Sequence, residues 1–259
     1  MTLTFNEAAH RYRLDGKPVT GATTILSAGI PKPAIAYWAA KVAAETAAEW
    51  VDGLSAAGVD RDWVLASADP EALAKTWKQA PWKKRDEAAV RGTAVHALAE
   101  RVIHGDEVDV PDEYLAHVNG YVDFLDTWDV TPILTEKSVA NRRHWYSGRF
   151  DLIASIPGLH DGAPVEIDLK TSNSVYADTA YQAAAYARAE FWVEDDDPDT
   201  EHPIPDIAAT YVAHVREDGT RLYELSPDRE HIDASFETFL HALAIKNRWN
   251  PRDLKEITQ

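Results

Sequence analysis

The chain has 259 residues, 45% of them hydrophobic, enough for one large domain or a domain with a helical appendage. Acidic residues outnumber basic ones 43 to 26, a formal net charge of −17, so any nucleic-acid reading must rest on local rather than global charge. The absence of cysteine excludes disulfides, thiolate zinc sites and cysteine-ligated iron–sulfur clusters. No apolar run long enough to cross a membrane and no basic-then-apolar opening is present, which leads us to expect a cytoplasmic protein without a membrane span.

In chain order, residues 3–14 and 18–26 read as short strands or a hairpin, with Asp15-Gly16 as the turn signal. Pro31 and Pro33 punctuate the exit, and the alanine-rich stretch from Ala34 to Val51 reads as a helix. Residues 52–69 read as a looser connection. Pro70 suits the first turn of a helix running toward Gln79, which Pro81 is expected to interrupt. Residues 73–91 hold six basic residues against Asp86 and Glu87, with Trp77 and Trp82 interleaved.

The next helix is expected from Asp86 to His104, stopping at Gly105, with Val95, Leu98 and Val102 as its apolar stripe. Another is expected from about Pro111 to Trp128, burying Leu115, Val118, Val122 and Leu125. Strands follow over roughly 132–140, 144–156 and 163–170, with Asp161-Gly162 as the turn between the last two. A helix over 177–193, strands at 207–215 and 220–225, and a helix over 227–248 complete the chain. Glu194 to Glu201, with six acids, reads as a solvated loop. The central order α-β-β-β-α-β predicts an α/β fold, a mixed sheet flanked by helices. Residues 1–85 are expected as N-terminal strands with a mostly helical extension, and 86–259 as the core.

Chemistry concentrates in the third strand and its neighbour. Side chains alternate faces along a strand, so Glu166, Asp168 and Lys170 share one face while Ile167 and Leu169 share the other. Buried carboxylates and lysines are costly unless paired or metal-bound, so the charged face is poorly explained as packing. Asp151, on the preceding strand, would complete an oxygen-rich site suited to Mg2+ or Mn2+. Asp151 and Asp168 are thus expected as metal ligands, and Lys170 as the ammonium that assists a water or balances charge on phosphate. Arg142, Arg143 and Arg149, with Lys83, Lys84 and Arg85, are candidates for phosphate contacts.

Four pieces in this order resemble the PD-(D/E)XK nuclease superfamily, in its RecB-type branch: Gly92-Thr93-Ala94-Val95-His96 with Glu100, Gly148-Arg149-Phe150-Asp151, Asp168-Leu169-Lys170-Thr171, and Gln182-Ala183-Ala184-Ala185-Tyr186. The opening His10-Arg11-Tyr12 with Thr23-Thr24-Ile25-Leu26 is similar to that of bacteriophage members. The resemblance covers about half the chain and implies an αβββαβ restriction-endonuclease-like core. It implies that His96 joins the metal shell, that Glu136 serves the site from the first strand, and that Gln182 and Tyr186 brace it and contact the substrate backbone. It further implies a metal-dependent DNA exonuclease of phage recombination or replication, acting in the host cytoplasm, with a recombination partner protein and a homo-oligomer in view. A structure-specific DNA endonuclease and a non-cleaving DNA-binding protein of the same fold are the competing readings.

Overall fold

The computed structural model describes residues 2–6, 9 and 11–248; His10 of the opening motif lies outside them. The chain forms two compact units, one of Met1–Ile30 with Gly92–Gln259 and the other of Pro31–Arg91. The division expected at 85/86 therefore differs from the observed one. The N-terminal strands belong to the sheet-bearing unit, because the third of them hydrogen-bonds to a central strand.

The Pro31–Arg91 unit is helical: α2 (Pro33–Ala56), α3 (Arg61–Ser67) and the first part of α4 (Pro70–Ile103). The segment expected as a loose connection contains α3, which Asp60 caps by accepting from the backbone N–H groups of Asp62 and Trp63 at 3.0 and 3.1 Å. The expected interruption at Pro81 is absent, and α4 runs through it as one helix.

The other unit is a mixed α/β body whose curled sheet has ten strands, β1 (Leu3–Asn6), β2 (Arg11–Leu14), β3 (Lys17–Gly21), β4 (Thr131–Asn141), β5 (Tyr146–Ser155), β6 (Val165–Lys170), β7 (Phe191–Val193), β8 (His202–Pro203), β9 (Ala209–Arg216) and β10 (Gly219–Ser226). Its helices are α1 (Ala22–Gly29), the end of α4, α5 (Asp112–Thr127), α6 (Asp178–Ala187) and α7 (Arg229–Arg248). The helix–strand–strand–strand–helix order occurs as α5, β4, β5, β6 and α6, with two short strands inserted before β9. β6 and β9 pair in parallel, and α6 lies in the connection such a pair requires.

Three elements differ from expectation. Ala22–Gly29 is a helix rather than the tail of a strand, since Ala22, Ile25, Leu26 and Gly29 bury one helical face. Gly29 is needed there: a Cβ would lie 2.4 Å from the Ala242 carbonyl oxygen of α7. The helix expected to reach 193 ends at Ala187, and Phe191–Val193 instead pairs with β4. Leu115, expected in the core, is exposed, while Val118, Tyr121 and Phe124 form the buried side of α5.

The core has two main layers, one on each face of the sheet. Val139, Tyr146, Phe150 and Ile153 pack with α1, α6 and α7, whereas Leu152, Ile167 and Leu169 pack with Val95 and Ala99 of α4 and with Tyr121 and Phe124 of α5. Among the described residues, no helix is long and apolar enough to cross a membrane.

Candidate active site

The site lies where the sheet opens. One edge of β5 pairs with β3 through Tyr146 and Ser147 and with β6 through Leu152, Ile153 and Ala154. Gly148, Arg149, Phe150 and Asp151 fall between these two ladders. Where β5 and β6 part, the Asp151 carboxylate replaces the ladder and accepts the Leu169 backbone N–H at 2.6 Å.

Side-chain alternation also breaks at this point. Phe150 and Ile153 face one core layer and Leu152 the other, so Asp151 marks a local kink of the kind that re-aims a side chain. Opposite it on β4, Glu136 is held at φ +49°, flanked by the pairs Thr135↔Leu152 and Lys137↔Phe150. A left-handed conformation costs a bulky L-residue on the order of 1–3 kcal/mol and persists only where surrounding contacts impose it.

One glycine of the motifs has a steric reason. A Cβ on Gly148 would lie 2.3 Å from Cε1 of Tyr186, whose ring fills that space. A Cβ on Gly92 would lie 3.4 Å from Oγ1 of Thr171, the residue after Lys170, so Gly92 sits beside the end of β6 without the space requiring glycine.

Among the described residues, the group of three able to hold a metal ion is His96, Glu136 and Asp151, whose ligand atoms lie within 4.8 Å of one another. His96 Nδ1 faces Asp151 Oδ1 at 3.4 Å. Both residues line a narrow cavity with Glu136, Glu100 and Tyr121. Burial works against charge on His96, but the Asp151 carboxylate outweighs it and raises the imidazole to about 9. Burial would raise Asp151 too, yet His96, Lys170 and the Leu169 N–H hold it below the ordinary carboxylate value. Burial, reinforced by Asp151 and opposed by Arg149, lifts Glu136 to about 7.

Asp168, expected as a ligand beside Asp151, stands outside that group of three. It is 1% exposed, accepts from Gln182 Nε2 at 3.1 Å through Oδ1, and has the Lys170 ammonium 2.5 Å from Oδ2. Burial lifts Asp168 to about 6 against the pull of Lys170, and Lys170 is raised because Asp168 and Asp151 overcome its own burial. Gln182 Nε2 also donates to the Tyr186 hydroxyl at 3.1 Å, so Gln182 links that hydroxyl to the Asp168 carboxylate.

Glu166 is fully buried on the same face, with both carboxyl oxygens unpartnered among the described residues. Burial first, then Asp168 and Asp151, push it well above the ordinary carboxylate value.

The basic residues expected to meet phosphate divide. Lys83, Lys84 and Arg85 are exposed on α4 in the Pro31–Arg91 unit, with the Arg85 guanidinium 4.7 Å from the Trp82 ring centroid and bonded to Asp86. Arg143 is exposed. Arg142 and Arg149 are each paired with carboxylates of this chain: Arg142 with Asp15 and Glu201, and Arg149 with Glu136 at 2.9 Å and with Asp195.

Tyr121 is not among the site residues expected from the sequence, and Tyr12 enters there only as part of the opening motif. Burial raises Tyr121, helped by Asp151 and Glu136, and its place on the buried side of α5 could have signalled it. Burial pushes Tyr12 up to about 12 against the opposing pull of Arg149. The opening motif names Tyr12 but not this neighbour, because its proximity to Arg149 depends on how the first strands join the sheet. Compared with models of protein families and with curated proteins, the chain matches none.

Proposed function

We propose that the protein is a divalent-metal-dependent deoxyribonuclease with a PD-(D/E)XK-type core, an exonuclease that hydrolyses phosphodiester bonds in DNA recombination or replication of the bacteriophage kind. One observation carries the reading. A lysine ammonium is paired at 2.5 Å with a buried carboxylate, and both belong to the same electrostatic cluster as an imidazole and two further carboxylates gathered for an ion. A purely structural cluster has little reason to bury more acids than it can pair.

The residues fit a divalent cation. His96, Glu136 and Asp151 would hold it, and one imidazole among oxygens suits Mn2+ as well as Mg2+. When bound, such an ion supplies Lewis acidity toward a phosphoryl oxygen and makes water a better nucleophile near neutral pH. Lys170 places a positive charge where negative charge develops on phosphate, an effect worth roughly 10²–10³-fold in comparable sites. Asp168, raised to about 6, accepts a proton from the attacking water near neutrality while Gln182 fixes its orientation.

End-labelled linear duplex incubated with Mn2+ or Mg2+ should be degraded by the wild type and spared by folded Asp168→Ala and Lys170→Ala proteins. Closed circles should survive. The reading fails if the wild type leaves linear DNA intact with either ion, or if Lys170→Ala cleaves like wild type.

A further inference from the structure

The connection between β7 and β8, residues 194–201, carries six acids in eight positions. It is anchored, because β7 and β8 pair through Phe191↔Pro203 and Trp192↔His202, and Trp192 stacks on His202 with centroids 4.4 Å apart. Three of its acids grip cations of the β4–β5 hairpin. Glu194 takes the Lys137 ammonium at 2.6 Å, Asp195 takes both terminal nitrogens of Arg149 at 3.1 and 2.9 Å, and Glu201 takes Arg142, which also holds Asp15. An acidic stretch serving only solubility would leave its carboxylates in water. Here they form bidentate and charge-assisted contacts with the geometry that guanidinium groups use for phosphate.

We infer that residues 194–201 stand in for the phosphates of a nucleic-acid backbone, covering Lys137, Arg142 and Arg149 until DNA displaces them. The identity of the displacing polyanion rests on the nuclease reading above. The exchange is feasible because the acids of these pairs reach solvent, Asp195 at 60% exposure, and ion pairs open to water each contribute only about 0–1 kcal/mol. Replacing a carboxylate by a phosphate leaves each cation with an anionic partner while releasing counterions from the DNA. Arg149 connects this cover to the site, since its Nε also bonds Glu136 at 2.9 Å. The device also reconciles a net charge of −17 with a DNA substrate: part of the acid is spent holding the phosphate-binding cations and swings away when they are needed.

The test is binding of the full chain to a short fluorescent DNA duplex in EDTA, followed by anisotropy over a range of salt. The variant is Glu194→Gln/Asp195→Asn/Glu201→Gln. A charge-matched control is Asp123→Asn/Glu217→Gln/Glu237→Gln, three exposed acids on other elements of the same unit. The first variant should bind roughly tenfold tighter than the control at equal salt, with a steeper slope of log affinity against log salt, about 0.9 for each cation released to phosphate. Asp195→Asn alone, at a side chain 60% exposed, guards against misfolding of the triple variant and should shift both readings the same way by less. Equal affinity and slope for the two triple variants would overturn the inference, as would no DNA binding by any of these proteins. Neither result decides the nuclease reading, which the cleavage assay with Lys170→Ala settles separately.

Discussion

Around Asp168 and Glu166 the carboxylates lie almost wholly out of water, with Lys170 as their near cation, whereas around Lys137, Arg142 and Arg149 each cation is about a quarter exposed and meets carboxylates that reach further into solvent, Asp195 most of all. In the first region burial amplifies every mismatch. Glu166 is pushed well above the ordinary carboxylate value, Asp168 moves to about 6 and Glu136 to about 7, and His96 holds a proton up to about 9. In the second, water competes for each partner, so the same residue types form contacts that can be exchanged. Burial confers reactivity on charge, and exposure confers replaceability.

The largest expected effect comes from removing the ammonium at the centre of the buried region. Lys170→Met should lower DNA cleavage by roughly 10²–10³-fold. It should also lower stability by about 3–5 kcal/mol near pH 8, the usual consequence of stranding a buried charge. At pH 5 the stability loss should shrink, because Asp168 then protonates and needs no partner. A loss equal at both pH values would show that Lys170 does not compensate Asp168. The matching change outside, Asp195→Asn, should alter stability by less than about 1 kcal/mol.

A second expectation concerns packing. Gly148→Ala should destabilise by about 1–3 kcal/mol, because the new methyl meets the Tyr186 ring. The double variant Gly148→Ala/Tyr186→Leu should recover part of that stability while losing the hydroxyl that Gln182 holds. Thermal unfolding of the four proteins forms a cycle, and simple additivity would show that the ring is not what requires glycine.

Much of this was legible in the sequence, for reasons that also mark the limit. The two-residue period of 165–170 sets Ile167 and Leu169 against Glu166, Asp168 and Lys170, and that division holds in the core. Spacing along one helix brings Gln182 to Tyr186. What local pattern does not encode is pairing across long stretches of chain. Arg142 meets Asp15 and Glu201 at separations of 127 and 59 residues, and Arg149 meets Asp195 at 46. The left-handed Glu136 is equally silent, since glutamate has no preference for that conformation and only the kink opposite Asp151 imposes it. The helix Ala22–Gly29 was masked by Thr23, Thr24 and Ile25, whose strand preference yields to the burial of one helical face against α7.

The subtlest expectation is a pH dependence whose sign reverses with metal. In metal-free protein, His96 is raised from 6.5 to about 9, so its contribution to stability is complete below about 6.5 and is lost as pH rises through about 9. Glu136 and Asp168 are raised acids, and each opposes folding increasingly as pH climbs from the ordinary carboxylate value to its own. All three make the metal-free protein less stable toward pH 9. Asp151, lowered, acts oppositely, and its support is lost only as pH falls below the ordinary carboxylate value. A cation at His96, Glu136 and Asp151 must displace the proton on His96, so its binding strengthens as pH rises. The rise in Tm on adding Mn2+ should therefore be small near pH 5.5 and largest near pH 8.5, where the metal-free protein is weaker. In Asp195→Asn, whose changed side chain lies in the exposed region, this profile should keep its shape. Disappearance of the pH dependence there would show that the two regions are one electrostatic unit joined through Arg149.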